Sequence, residues 1–165
     1  MLKKNVIQAL VFSKIDYGLP ILCNMSKETC GVLQKAQNAA VRFIAGIRLS
    51  DREHITKFYA EYGWLKIVER LELTLVLNMW KAIKFKEPIY IYEMLSFNVK
   101  KDRSTRSHCN RLLIPKHRTE YYSNSILVKS IRAWNIFNVY DYLSYKTLIK
   151  LKKDIKNKLL DRYSC

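Results

Sequence analysis

Apolar residues recur every three or four positions along most of this chain, and that period predicts helices. Between Leu33 and Ile47, in LQKAQNAAVRFIAGI, Leu33, Ala36, Ala40, Val41, Ile44 and Ile47 make one stripe, Gln34, Lys35, Asn38 and Arg42 lie off it, and Gly46 ends the run. Upstream, Asn5 to Ile15 reads as a first helix with Val6, Ala9, Leu10 and Phe12 inward, closed by Gly18 and Pro20. Ser26 suits an N-cap, with Glu28 in the first turn where a negative charge faces open amides. After the Ile47-Arg48-Leu49 connector, Ser50 to Glu53 has the spacing of a capping box, and Ile55, Phe58, Tyr59 and Tyr62 mark one face up to Gly63. From Trp64 to Phe85, Ile67, Val68, Leu71, Leu75 and Met79 share one side, while Leu73, Val76, Leu77 and Trp80 cover the other side of the second half. A helix apolar nearly all round belongs in the middle of a bundle. Pro88 suits the first turn of a short helix carrying Ile89, Tyr92 and Leu95.

The period breaks between Asn98 and Ser125. There Leu112 to Pro115 is too short for a helix and reads as a strand, with Thr119 to Tyr122 as a pairing partner. Ser125 to Phe137 returns to helix with Leu127, Ile131 and Trp134 aligned, and a turn follows around Tyr140 to Tyr142. Ser144 is expected to cap a last helix with the narrow stripe Leu148, Leu151, Ile155 and Leu159 and lysines elsewhere. The pattern therefore predicts a mainly α fold, a bundle of about six to seven helices with a small β-hairpin or basic loop near residues 110–122. Residues 1–98 are expected to form a helical lobe, and residues 99–165 a basic lobe of short strands and two helices packed on it.

Nearly half of the 165 residues are apolar, so a folded core is expected rather than a disordered tail. No uncharged run is long enough to span a bilayer, and Gln8, Lys14 and Asp16 interrupt the signal-peptide likeness of the first residues, which read as helix. The net charge of +16 changes the picture most, because it is uneven: +5 over residues 1–49, zero over 50–98 and +11 over 99–165. The C-terminal third would attract a polyanion, and nucleic acid is the commonest. Cys23, Cys30, Cys109 and Cys165 show no Cys-x-x-Cys spacing, so reduced thiols in an intracellular protein, nuclear or cytoplasmic, are expected. A zinc site from Cys23, Cys30, Cys109 and a histidine is the alternative.

Catalytic signals are absent from the sequence. Two-metal chemistry needs carboxylates converging on ions about 3.5–4 Å apart, and Asp51 with Glu53 is better explained by capping. His108 and Cys109 are adjacent in a basic stretch, and adjacency alone makes no dyad. The chain is therefore expected to be no enzyme, with no cofactor, no metal, no membrane and no small-molecule substrate.

Several ordered blocks carry a resemblance. Asp16-Tyr17-Gly18, Leu33-Gln34, Gln37-Asn38, Val41-Arg42, Gly46, Gly63-Trp64-Leu65, Pro88-Ile89-Tyr90, Thr105-Arg106-Ser107, Leu113-Ile114-Pro115, Arg118-Thr119, Ala133-Trp134-Asn135 and Leu151-Lys152-Lys153 follow one another from about Val6 to Tyr163. Together they resemble the thumb and the region after it in reverse transcriptases of LINE-type (non-LTR, jockey-like) retrotransposons. Ile136-Phe137 stands where that family usually has Leu-Pro, Leu151 where it has Phe, and the aromatic-x-Asp-Asp palm motif is missing. The resemblance implies a truncated fragment of an RNA-directed DNA polymerase, its thumb-like lobe being residues 1–98. By it, Gln34, Lys35, Asn38, Arg42 and Arg48 would face a template/cDNA duplex. Lys100, Lys101, Arg103, Arg106, Arg111, Lys116 and Arg118, with Tyr121 for stacking, would hold RNA or an RNA/DNA hybrid. Without a palm to pack on, Trp64 and Trp80 are expected to be partly exposed, with the rest of a reverse transcriptase or a second copy as further partners. Two other readings remain: a helical protein-interaction module using the Leu148–Leu159 stripe, or a functionless transposon remnant.

Overall fold

The computed structural model describes residues 2–48, 50–51, 53–97, 111–137 and 143–163. It is mainly helical: α1 (Leu2–Ile7), α2 (Ser13–Gly18), α3 (Lys27–Ala45), α4 (Thr56–Tyr62), α5 (Ile67–Phe85), α6 (Ile89–Glu93), α7 (Glu120–Ser123), α8 (Ile126–Phe137) and α9 (Leu148–Leu160). The chain divides into two compact units, Met1–Leu71 with Asp154–Cys165, and Glu72–Lys153. The division runs through α5 and α9.

In the first unit Phe12, Ala40, Val41, Tyr59 and Trp64 form the core, with Ile7, Val11, Ile15, Ile44 and Phe58 packed around them. Phe12 meets Trp64 edge-on at 4.6 Å between ring centroids. The first helical stretch buries Phe12 but exposes Val6, Ala9 and Leu10, three positions expected inward. A π-helical turn at Gln8–Phe12 is the reason: its extra residue rotates the face, so Ile7, Val11 and Ile15 turn toward the core.

Caps set the ends of α3 and α4. Ser26 Oγ accepts from the Thr29 amide at 3.1 Å, and Gly46, at φ 71°, closes α3 in the left-handed conformation. The expected capping box does not form. Asp51 instead folds back, its carboxylate accepting from the Arg48 amide at 3.0 Å, and α4 begins later, at Thr56. Gly63, at φ 62°, ends α4 and turns the chain toward Trp64.

The second unit is organised on the latter half of α5, where Leu73, Leu75, Val76, Met79, Trp80, Ala82 and Ile83 are all buried. That agrees with a helix apolar on every side. Trp64 and Trp80 are 4 % and 1 % exposed, contrary to the expected exposure, with Trp64 packed edge-on against Phe12 and Trp80 against Phe85. α8 buries Val128, Ile131, Trp134 and Phe137.

No hairpin is formed among the described residues near 110–122. Leu112 makes an isolated antiparallel bridge to Phe97, and Glu120–Ser123 is a helical turn capped by Thr119, whose hydroxyl accepts from the Tyr122 amide at 3.3 Å. Local capping therefore outcompetes strand pairing at Thr119–Tyr122. The last helix begins at Leu148, so Ser144 stands too far upstream to be its cap. No described helix is long and apolar enough to cross a membrane.

Candidate nucleic-acid interface

The expected contact residues fall in both units and meet different fates. On α3 the polar edge is largely turned inward. The Gln34 amide nitrogen donates to Asn38 Oδ1 at 2.9 Å and to the Tyr59 hydroxyl at 3.0 Å, and Tyr59 donates to Asn38 Oδ1 at 2.8 Å. Gln34 Oε1 in turn accepts from the Ile67 amide at 2.9 Å, at the open N-terminus of α5. One turn on, fully buried Gln37 donates to the Leu65 carbonyl at 2.8 Å. The inward face of α3 is thus rotated from the apolar stripe: Gln37 is inside and Ala36 is exposed.

Tyr163 completes this arrangement, although nothing in the sequence pattern marks it. Its hydroxyl accepts from the Lys66 amide at 2.9 Å, so two successive amides entering α5 are met by side chains from distant parts of the chain. Burial pushes the Tyr163 hydroxyl up to about 12, partly offset by the Lys66 bond, with neighbouring Glu69 pushing it further up. Burial likewise raises Tyr59 well above the ordinary tyrosine value, the Gln34 hydrogen bond pulling the other way. Arg70 is also held: it donates to the Leu65 carbonyl at 3.1 Å, pairs with Asp16 at 2.6 Å and lies 4.4 Å from the Phe12 ring centroid.

What the α3 edge leaves for a ligand is Lys35, which is exposed, and half-buried Arg42, whose guanidinium reaches the Arg48 carbonyl at 3.5 Å. Arg48 itself is exposed, with its backbone amide tied to Asp51. Lys4 lies nearer the core, donating to the Tyr62 carbonyl at 3.1 Å.

The second unit presents its basic residues differently. The backbone at Leu112 is clamped by one side chain: Asn135 Oδ1 accepts from the Leu112 amide at 3.0 Å, and Asn135 Nδ2 donates to the Leu112 carbonyl at 2.9 Å. Leu113 adds an amide bond to the Ser96 carbonyl at 2.8 Å. A side-chain amide can do this because its paired donor and acceptor match those of a neighbouring strand. With buried Leu112 as the anchor, Arg111, Lys116 and Arg118 all stand exposed, and none of them enters an ion pair among the described residues. Tyr121 is 79 % exposed, so it can present a ring face. His117 Nδ1 lies 2.9 Å from the Pro115 carbonyl and its ring sits 6.3 Å from Tyr122.

No family model, curated protein or solved structure matches the chain. The site's chemistry must therefore be read from its own residues. Lys100, Lys101, Arg103 and Arg106 lie outside the described residues, as do His108, Cys109 and Cys165. Cys23 is buried and Cys30 half-buried, both as free thiols, and no group of three potential metal ligands is assembled among the described residues. The arrangement offers exposed cations and the exposed rings of His117, Tyr121 and Tyr122. Such cations can neutralise phosphates.

Proposed function

We propose that this chain is a nucleic-acid-binding module without catalysis of its own, equivalent to the thumb and following region of the LINE-type reverse transcriptases it resembles, working inside the cell, in nucleus or cytoplasm. The observation that carries the reading is the 111–118 segment: three exposed cations without ion-pair partners among the described residues, on a stretch anchored at Leu112 by the Asn135 clamp. An anchor at Leu112 lowers the ordering cost of binding, and such cations need no internal ion pair broken before they meet phosphate. Lys35 and Arg48 add charge in the other unit, while the Gln34 and Asn38 amides support the fold and leave little for a ligand. RNA or an RNA/DNA hybrid is the proposed partner, gripped by phosphate contacts that give register without reading sequence.

The interaction-module alternative loses its carrier, because Leu151, Ile155 and Leu159 are completely buried and offer no docking stripe. The test is binding of purified protein to a labelled RNA/DNA hybrid, single-stranded RNA and duplex DNA at about 50 mM and about 200 mM salt. Binding that favours hybrid or RNA and weakens steeply with salt is expected. Absence of binding by a demonstrably folded chain, or affinity indifferent to salt, contradicts the proposal.

A further inference from the structure

The second unit contains a cleft of about 580 Å³ that the nucleic-acid reading does not use. Its wall comes from three helices: Met79 and Ala82 of α5, Tyr90 and Met94 on and just after α6, and Ile126 and Ser130 of α8. The space has a residue-level cause. Ala82 and Ser130 put small side chains on the facing walls, beside larger inward residues such as Met79, Ile83, Val128 and Ile131, so the helices leave a gap between them.

Three features of this gap point to its occupant. Its volume lies in the range of about 300–1,000 Å³ that holds a small organic ligand, and its lining is mostly apolar. Two thioethers and a tyrosine ring suit a flat aromatic surface, since sulfur packs well on ring edges and tyrosine stacks. Ser130 is 5 % exposed and lines the cleft, and no hydrogen bond to another described residue engages its hydroxyl. A hydroxyl at the cleft wall with no bond to another described residue is open to a ligand that supplies one. The rim carries both Lys81 and Glu87, so the opening lacks the one-signed charge that would draw phosphate.

We infer that this cleft is a binding site for a neutral, flat aromatic molecule of about two fused rings, with a single hydroxyl or amide that hydrogen-bonds Ser130. The site is independent of the proposed polyanion surface, and its failure would leave that proposal intact.

The test uses 1-naphthol and naphthalene as probes of the full chain, titrated by calorimetry and by quenching of tryptophan emission. One-to-one binding of 1-naphthol with a Kd on the order of 100 µM is expected, tighter than naphthalene by about three- to tenfold. Ser130→Ala keeps the space and should erase that preference while naphthalene still binds. Ile126→Trp, a change at a half-exposed rim position, should weaken both probes at least tenfold with the helical signal unchanged. Ala82→Phe, which fills the gap, should do the same. The inference is overturned if folded wild-type protein shows no saturable binding, or if Ser130→Ala keeps the 1-naphthol preference. It is equally overturned if the protein sediments as a dimer that Ile126→Trp disperses, since a second copy would then occupy the cleft.

Discussion

The polar edge of α3 and the extended segment around Leu112 are both expected from sequence to face nucleic acid, yet their polar groups do opposite work. Gln34 and Asn38 are uncharged and reach only a short distance: Gln34 closes the Ile67 amide at the start of α5, and Asn38 accepts from Gln34 and Tyr59. Arg111, Lys116 and Arg118 are long and charged, and the Leu112 backbone beside them is already met by Asn135 of α8. Amides are drawn inward wherever a helix end needs a donor or acceptor. Guanidinium and ammonium groups stay out unless a carboxylate offsets their desolvation, as Asp16 does for Arg70.

The strongest way to break this contrast is Asn135→Ala. It leaves both the Leu112 amide and carbonyl without their bonds, at a position where Leu112 is buried. A loss of about 2–4 kcal/mol is expected, read as a lower midpoint in urea unfolding. A change under about 0.5 kcal/mol would mean the clamp is dispensable.

Gln34→Ala should come next, at about 1–3 kcal/mol, because it orphans the Ile67 amide and removes a donor to Tyr59. The decisive companion reading is nucleic-acid binding at a temperature where the variant stays folded. It should be unchanged, whereas a loss of affinity without a loss of stability would return Gln34 to the interface.

Alkaline pH gives a smaller effect on the same network. The Tyr163 hydroxyl titrates near 10 in the unfolded chain and near 12 in the fold, so between those values the unfolded chain releases a proton that the folded chain keeps. Stability is therefore fully present below pH 10 and declines as pH rises toward 12, with Tyr59 acting in the same direction. Unfolding midpoints at about pH 9 and about pH 11 should show the decline, reduced in Tyr163→Phe. An equal decline in that variant would place its cause elsewhere.

The helical class and most caps are legible in the sequence because they depend on local rules: period, Ser26 at the start of α3, and Gly46 and Gly63 at helix ends. The apolar second half of α5 is legible for the same reason, since a helix apolar on all sides has one comfortable place. The misreadings share a different cause. An ideal period puts Val6 and Leu10 inward because it takes no account of the extra residue in the turn at Gln8–Phe12. Ala36, expected on the apolar stripe, is exposed, while the neighbouring Gln37 is buried with its amide on the Leu65 carbonyl far along the chain.

The hairpin expected near Leu112 fails in an instructive way. The segment is extended as its residues suggest, yet its main partner is a side chain, and Thr119 finds a helical turn to cap. The Leu-Ile-Pro and Trp-Asn blocks are visible in the sequence as wording alone. Their physical link needs the fold, which sets Asn135 beside Leu112 while buried Trp134 fixes α8. Nothing local signals the cleft either, because it arises from two small residues, Ala82 and Ser130, on helices far apart in sequence.

The central claim is that nucleic-acid affinity resides in the exposed cations of the 111–118 segment while the α3 amides serve the fold. The direct measurement is the slope of log binding constant against log salt on a labelled hybrid for wild type and for the triple variant Arg111→Ala, Lys116→Ala, Arg118→Ala. The account predicts unchanged folding stability and a slope shallower by roughly two to three units, at about 0.7–0.9 for each phosphate that is no longer neutralised. A triple variant that binds with the wild-type slope and affinity would contradict it.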